Sequence, residues 1–455
     1  MGRLFGTNGV RGVANKELTP HLALDVSLAI GTFLGKGKTV AVGGDTRVSG
    51  SAIKSAVLSG LMATGHKVVD IGIIPTPGLQ YFVKKHDEVF AGVMITASHN
   101  PPEYNGIKLI WTDGTEAPRE VEEKVEEIYF RRAFNLVHWN EIGSLVNYPE
   151  AYHEYIEGVL SVVDTQAIRE REFHVIVDVG NGAAYRTSPE LLSRLNANVI
   201  TLNAQPDGRF PARMPEPTYE NIKYLSDIVK EMGADFAVAH DGDADRAIFF
   251  DDKGRFIGGE YLLAMLSKYV IKQTGKRIVV TPVSSGRVVE DAVKSAGGEV
   301  IYTKVGSPIV ARKMIELGDK VAIGGEENGG IIYPPHQYCR DGAMAIALVM
   351  EMISKTGKKL SQLYDELPKY YIIKTKVHVE DKEKMMKRAE EFLRGLEARE
   401  YITIDGIKAV FDDGWILVRP SGTEPIIRVF VEFNSEEKAK KTVEEVLSVL
   451  KGEQD

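Results

Sequence analysis

Two hydrophobic rhythms alternate along this chain. Short β-branched runs, such as those beginning at Val40, Val175 and Ile278, read as buried strands. Each gives way to a polar or glycine-bearing turn and then to apolar positions spaced three and four apart, the stripe of an amphipathic helix. The three segments VAVGGDTRVSGSAI, VIVDVGNGAAYRTS and IVVTPVSSGRVVED share this order, at a spacing of domains and not of solenoid repeats. Local signals agree with the rhythm. Thr19-Pro20 supplies an N-cap and a first-turn proline for a helical stripe over 22–33, and Asp341-Gly342 opens another helix that runs through Met350 and Met352. These elements predict three related α/β domains with mixed sheets.

The pattern changes after Pro368. A strand over 370–379, a helix over 382–396, strands over 408–411, 415–418 and 426–433, and a closing helix from Ser435 predict an α+β domain with an antiparallel sheet. The expected domains are 1–150, 151–250, 251–368 and 369–455. A chain of 455 residues is long enough for about three or four cores. Net charge is −8 with both signs interleaved, which argues against nucleic acid or an anionic membrane as a partner. Cys339 is the single cysteine, which excludes an intrachain disulfide and a cysteine zinc cluster. No apolar run approaches the roughly 18 residues of a membrane span. The start, MGRLFG, lacks a signal-peptide core, and Gly6 stands where a myristoylation signal needs Ser or Thr, so a cytoplasmic protein is expected.

Four loops carry the candidate chemistry. In ITASHNPP, Pro101 and Pro102 bar continuation of the preceding apolar strand, so Ser98 lies on a loop at a strand's end. A turn serine bonding its own backbone would account for it alone. In FAVAHDGDADRAIFF, Asp241, Asp243 and Asp245 crowd between two apolar strands. Like charges so close raise one another's pKa unless a cation neutralises them, and alternating oxygen ligands suit Mg²⁺. An EF-hand does not fit, because Arg246 occupies its glycine position and Asp252 replaces the bidentate Glu. A solvated acidic turn explains poorly why Arg246 follows three acids. Residues 324–330, GGEENGG, present Glu326 and Asn328 among glycines that let backbone approach a ligand. Residues 419–425, RPSGTEP, offer Arg419, the hydroxyls of Ser421 and Thr423, and N–H groups around Gly422 as an anion nest. The plain alternatives are a flexible loop for the first and a turn with an Arg419–Glu424 ion pair for the second.

In this order, TASHNP, DGDADR, GGEENGG and RPSGTEP resemble the active-site loops of the α-D-phosphohexomutases, one per domain, and the resemblance runs the full chain from FGTNGVRG at residues 5–12. It implies a phosphoglucomutase/phosphomannomutase-type enzyme, an isomerase of hexose 1- and 6-phosphates acting through phosphoserine at Ser98. Mg²⁺ would be held by Asp241, Asp243, Asp245 and a phosphate oxygen on Ser98. Arg11, Lys108 and Arg246 would neutralise charge, and either His99 or Lys108 would handle the hydroxyl proton. His99 bonding the loop backbone is the structural alternative. Glu326, Asn328, Arg419, Ser421, Gly422 and Thr423 would bind substrate. Hexose 1,6-bisphosphate would be intermediate and activator, hexose phosphates the partners, and a homo-oligomer is allowed.

Two departures touch the sugar loops: Asn328 stands where relatives often carry Ser, and Ser307 where they tend to place His or Asp. The missing acid at 307 points away from an amino sugar and toward glucose and mannose phosphates. A phosphoglucosamine mutase is the alternative within the family. Asp241-x-Asp243 also resembles the haloacid-dehalogenase phosphatases, with Asp241 as nucleophile and Asp243 as acid/base, but Asp245 replaces the expected Thr or Val. A non-catalytic, metal-stabilised binding protein is the third reading.

Overall fold

The computed structural model describes residues 4–6, 9–422 and 425–451. Two compact units divide the chain, one of residues 1–258 with 329–362, the other of residues 259–328 with 363–455. Among the described residues no helix is long and apolar enough to cross a membrane.

The first unit opens with a six-stranded sheet in the order Val10–Val13, Tyr104–Ile110, Val89–Ile95, Thr39–Gly44, Lys67–Ile73, Leu145–Asn147. The first two pairings are antiparallel and the rest parallel, the mixed sheet expected. Period-two alternation assigns each residue a face. Val40 and Val42 enter one core with Val93 and Ile95, while Ala41 and Met94 enter the opposite one. Helices Pro20–Leu34, Gly50–Ala63 and Arg119–Arg131 contribute to the first core, and Thr76–Lys85 to the second. Thr19 caps the first helix through Leu22 N at 3.2 Å, as its sequence predicts.

A five-stranded sheet follows, in the order Phe256–Ile257, Ala247–Asp251, Phe236–His240, His174–Asp178, Asn198–Leu202. Phe236–His240 and Ala247–Asp251 form an antiparallel hairpin in which His240 faces Ala247, so residues 241–246 are its connecting loop. Both strands are wholly buried, which is why an acidic loop can follow continuous apolar runs. Helix Gly342–Thr356 belongs to the same unit and is capped by Asp341 through Met344 N at 2.9 Å.

In the second unit, Ile278–Pro282 lies between Glu299–Thr303 and Val321–Gly325, all parallel. The last sheet is antiparallel, in the order Tyr371–His378, Ile426–Phe433, Gly414–Pro420, Ile407–Val410, Glu400–Ile402. Helices Lys382–Arg394 and Glu436–Lys451 pack on one face through Leu393, Val443 and Val446 against Ile416, Val429 and Val431. Sequence reasoning missed the edge strand Glu400–Ile402, whose three residues are too short for a visible alternation. The expected helix over 382–396 stops at Arg394, before Gly395.

Candidate active site

Ser98 stands where its prolines put it, on the loop after Val89–Ile95. Its φ of 53° lies in the left-handed region, which costs a serine about 1–2 kcal/mol. The side chain is buried, and Oγ donates to Asp241 Oδ2 at 3.0 Å. A Cβ on Gly242 would lie 2.5 Å from the Ser98 carbonyl oxygen, so only glycine lets the two loops approach this closely.

Asp241, Asp243 and Asp245 are buried, with one oxygen from each lying within 4.8 Å of the others. Their surroundings differ. Asp243 Oδ2 accepts from Thr76 Oγ1 at 2.6 Å and from Lys108 Nζ at 3.0 Å. Burial by itself would raise the Asp243 pKa, but Lys108 and these hydrogen bonds outweigh it and hold the carboxyl below the usual range. Asp241 is pushed well above that range by burial and by the neighbouring Asp245 and Asp243. Asp245 Oδ2 accepts from Arg340 Nη2. Asp243 Oδ1 and Asp245 Oδ1 are buried without a hydrogen-bond partner among the described residues. Orphaned carboxylate oxygens facing a third acid form an all-oxygen donor set that fits a hard divalent cation such as Mg²⁺.

His240 ties the ends of this loop together. Its Nδ1 donates to Arg246 O at 2.9 Å, while Nε2 meets Ser188 Oγ at 2.8 Å. Arg213, in a buried ion pair with Asp178 at 2.6 Å, donates to His240 O at 2.7 Å.

Arg246 places Nε 3.8 Å from Asp241 Oδ2 and 3.7 Å from Asp245 Oδ1. Its Nη2 donates to His99 Nδ1 at 3.1 Å. Burial, then Arg246 and Arg11, push the His99 pKa down to about 2, so the imidazole is neutral with its proton on Nε2. Its Nδ1 is also 3.4 Å from Ser98 Oγ. The backbone-bonding role considered for His99 is not the arrangement found; its partners are side chains. Arg11, on strand Val10–Val13, donates to Asn100 Oδ1 at 2.7 Å, and its buried Nε has no hydrogen-bond partner among the described residues. The first unit thus brings together Ser98, His99, Lys108, Arg11, Arg246 and the three aspartates.

The remaining candidates belong to the second unit. Glu326 is buried, and Asn328 Nδ2 donates to its Oε2 at 3.4 Å. Arg419 pairs with Asp405, Nη2 to Oδ2 at 2.9 Å and Nε to the same oxygen at 3.0 Å. Ser421 N donates to Ile426 O at 3.0 Å, and Ser421 O accepts from Lys382 Nζ at 3.0 Å. Among the described residues, a Cβ on Gly422 would meet nothing within 4 Å. Thr423 and Glu424 lie outside the described residues.

Sequence reasoning missed Arg340, which reaches Asp245 from 95 residues away, as well as Thr76, Arg47 and Asp405. Only Arg47 left a signal, in the Asp45-Thr46-Arg47 turn that ends strand Thr39–Gly44.

Comparison with known proteins gives this geometry a family. The models for phosphoglucomutase/phosphomannomutase α/β/α domains I, II and III match residues 2–136, 153–254 and 258–371, and that for the C-terminal domain matches 375–449. The chain belongs to the phosphoglucomutase/phosphomannomutase family. It is an enzyme of the α-D-phosphohexomutase superfamily, an intramolecular phosphotransferase, with three α/β/α domains and a C-terminal α+β domain as expected. The Thermococcus kodakarensis "Phosphoglucomutase/phosphomannomutase" is 48% identical over 454 residues, covering 99% of each chain. The Sulfurisphaera tokodaii "Phosphoglucosamine/phosphogalactosamine mutase" is 42% identical over 461 residues, covering 99% of this chain and 100% of that one. Among solved structures, a family protein from Burkholderia thailandensis matches at a TM-score of 0.88 and 26% identity, covering 99% of this chain and 98% of that one.

Proposed function

We propose that this phosphohexomutase carries its phosphoryl group on Ser98 and interconverts the 1- and 6-phosphates of gluco-configured hexoses through a 1,6-bisphosphate. The observation that carries the reading is Ser98 Oγ, buried and 3.0 Å from the foremost of three clustered aspartates. Phosphoryl transfer asks mainly for positioning and charge neutralisation. Asp241, Asp243 and Asp245 would hold Mg²⁺, which supplies that neutralisation when bound. Arg11, whose buried Nε has no partner among the described residues, would bind phosphate oxygens. Burial and then Arg246, which donates to Nδ1, keep His99 neutral, so His99 can offer its Nε2 proton but does not act as a base through Nδ1. In the second unit, Glu326 and Asn328 bind sugar hydroxyls, and Arg419, Ser421, Gly422 and Thr423 hold the phosphate that is not being transferred.

Glucosamine phosphate belongs in the substrate range. The Sulfurisphaera tokodaii relative, named for two amino sugars, spans the entire chain at 42% identity, and this outweighs the inference from Ser307 alone. A range of glucose and mannose phosphates is the second reading, favoured by the relative at 48% identity. A panel of glucose, mannose and glucosamine 1-phosphates, each with a trace of its 1,6-bisphosphate, tests both. Isomerised glucosamine phosphate supports the first reading, turnover of neutral sugars alone the second. Free inorganic phosphate without isomerisation would overturn both in favour of a phosphatase.

A further inference from the structure

Both backbone polar groups of Ser98 end on one buried ion pair. The Ser98 N–H donates to Thr96 Oγ1 at 2.9 Å, and that hydroxyl donates to Asp45 Oδ2 at 2.6 Å. The same carboxylate oxygen accepts from Arg47 Nε at 3.0 Å. Arg47 Nη2 closes the ring by donating to Ser98 O at 2.9 Å. Its other donors take the carbonyls of Asn100 at 2.7 Å, Pro101 at 2.6 Å and Tyr104, the first residue of the next strand, at 2.9 Å. All five guanidinium N–H groups are therefore engaged, four of them on carbonyls between Ser98 and the start of the next strand at Tyr104. Neither side chain of the Asp45–Arg47 pair is exposed to solvent, and the guanidinium carbon lies 5.2 Å from the ring centroid of Phe210.

We propose that Asp45 and Arg47 are positioning residues for phosphoryl transfer at Ser98. The proposal rests on Ser98 being the phosphoryl carrier. The left-handed Ser98 backbone does not hold itself; an αL serine persists only where its surroundings over-determine it. Thr96 fixes the N–H side and Arg47 the carbonyl side, which aims Oγ at Asp241. A lysine at 47 would present one point charge with three donors, too few and wrongly arranged for four carbonyls and a carboxylate. Loss of the clamp displaces Oγ without touching any aspartate. A displacement of about 1 Å is enough to slow the chemical step by ~100-fold.

The test measures phosphorylation of Ser98 by glucose 1,6-bisphosphate in the full-length protein, by peptide mass spectrometry against time, and Mg²⁺ binding by calorimetry. Arg47→Lys is expected to slow phosphorylation by ~100-fold, with Mg²⁺ affinity within about twofold of wild type. Added guanidinium should partly restore the rate in Arg47→Ala, since it brings back the donors without the tether. Thr96→Val keeps the shape and removes one hydroxyl; it should fold and still slow phosphorylation, so it carries the test if Arg47 variants do not fold. Wild-type rates in both Arg47→Lys and Thr96→Val overturn the proposal. So does a rate loss matched by an equal loss of Mg²⁺ binding, which would mark a general structural role. Wild-type protein that never gains phosphate on Ser98, with Ser98→Ala still turning over, removes the underlying reading and this proposal with it.

Discussion

Lys408 holds its ammonium 4.0 Å from the ring centroid of Trp415, whose indole N–H in turn donates to Glu432 at 2.6 Å. Lys408 also donates to Val283 O at 2.8 Å. Burial drives both charged groups toward neutrality, Lys408 down to about 8 and Glu432 up to about 7. The folded-state pKa of Glu432 is raised from 4.5, so its contribution to stability is full below about 4.5 and is lost as pH rises through about 7. That of Lys408 is lowered from 10.5, so the unfolded chain binds the extra proton between about 8 and 10.5, and stability recovers across that window. The stability contributed by this pair should therefore be lowest near pH 7 to 8. Urea midpoints across pH should show that Glu432→Gln flattens the fall between pH 4.5 and 7 relative to wild type.

Ser98→Ala should abolish isomerisation, with a loss of ~10³-fold or more, while binding of Mg²⁺ persists through the aspartates. Phosphate should be found by mass spectrometry on the wild-type peptide containing Ser98. If the variant keeps most of its turnover while Asp241→Asn is dead, Asp241 is the nucleophile and the enzyme a phosphatase.

The aspartates should respond unequally to neutralisation. Asp243 is paired with buried Lys108, so Asp243→Asn leaves that ammonium without its counter-charge and should destabilise the metal-free protein by about 3–5 kcal/mol. Asp241 is already driven toward its protonated form, so Asp241→Asn should leave metal-free stability unchanged or higher. Both should lose Mg²⁺ binding. Thermal melts in chelator, followed by Mg²⁺ titration, read the two effects separately, and equal melting temperatures for the two variants would contradict the assignment.

Arg419→Ala should raise KM for hexose phosphate by ~10–100-fold, the scale of one charged hydrogen-bonded anchor, without preventing phosphorylation of Ser98. Asp405→Asn should produce a smaller rise, because it leaves Arg419 in place but loosens it. Steady-state kinetics decide this, and a normal KM in Arg419→Ala would return the loop to a plain turn.

What the sequence made legible follows from how each part of the site is assembled. The aspartates could be read because one hairpin loop carries all three, with buried strands on either side as a frame. Ser98 could be placed because two prolines stop the strand ahead of it. The groups that tune them come from elsewhere: Thr76 from a helix 167 residues before Asp243, Arg340 from 95 residues past Asp245. No local periodicity encodes such pairings, since tertiary packing alone brings them together. The fold was read for the same reason in reverse, because strand alternation and helix stripes are local properties. Glu400–Ile402 escaped as a strand because three residues hold too little of that pattern.

The His240 contact acts as a gauge on the acidic turn. One imidazole spans from Ser188 to the carbonyl of Arg246, so the contour between the two hairpin strands is fixed at six residues. An insertion or deletion there would break the span before it reached any aspartate. Substitutions within the loop leave that span intact, although Gly242 admits no side chain and Asp243 is tied to Lys108, whereas changes in its length do not. Designed variants that aim to retune the cation site should therefore exchange side chains at constant length, and a library of loop-length variants should yield soluble protein only where His240 is replaced as well.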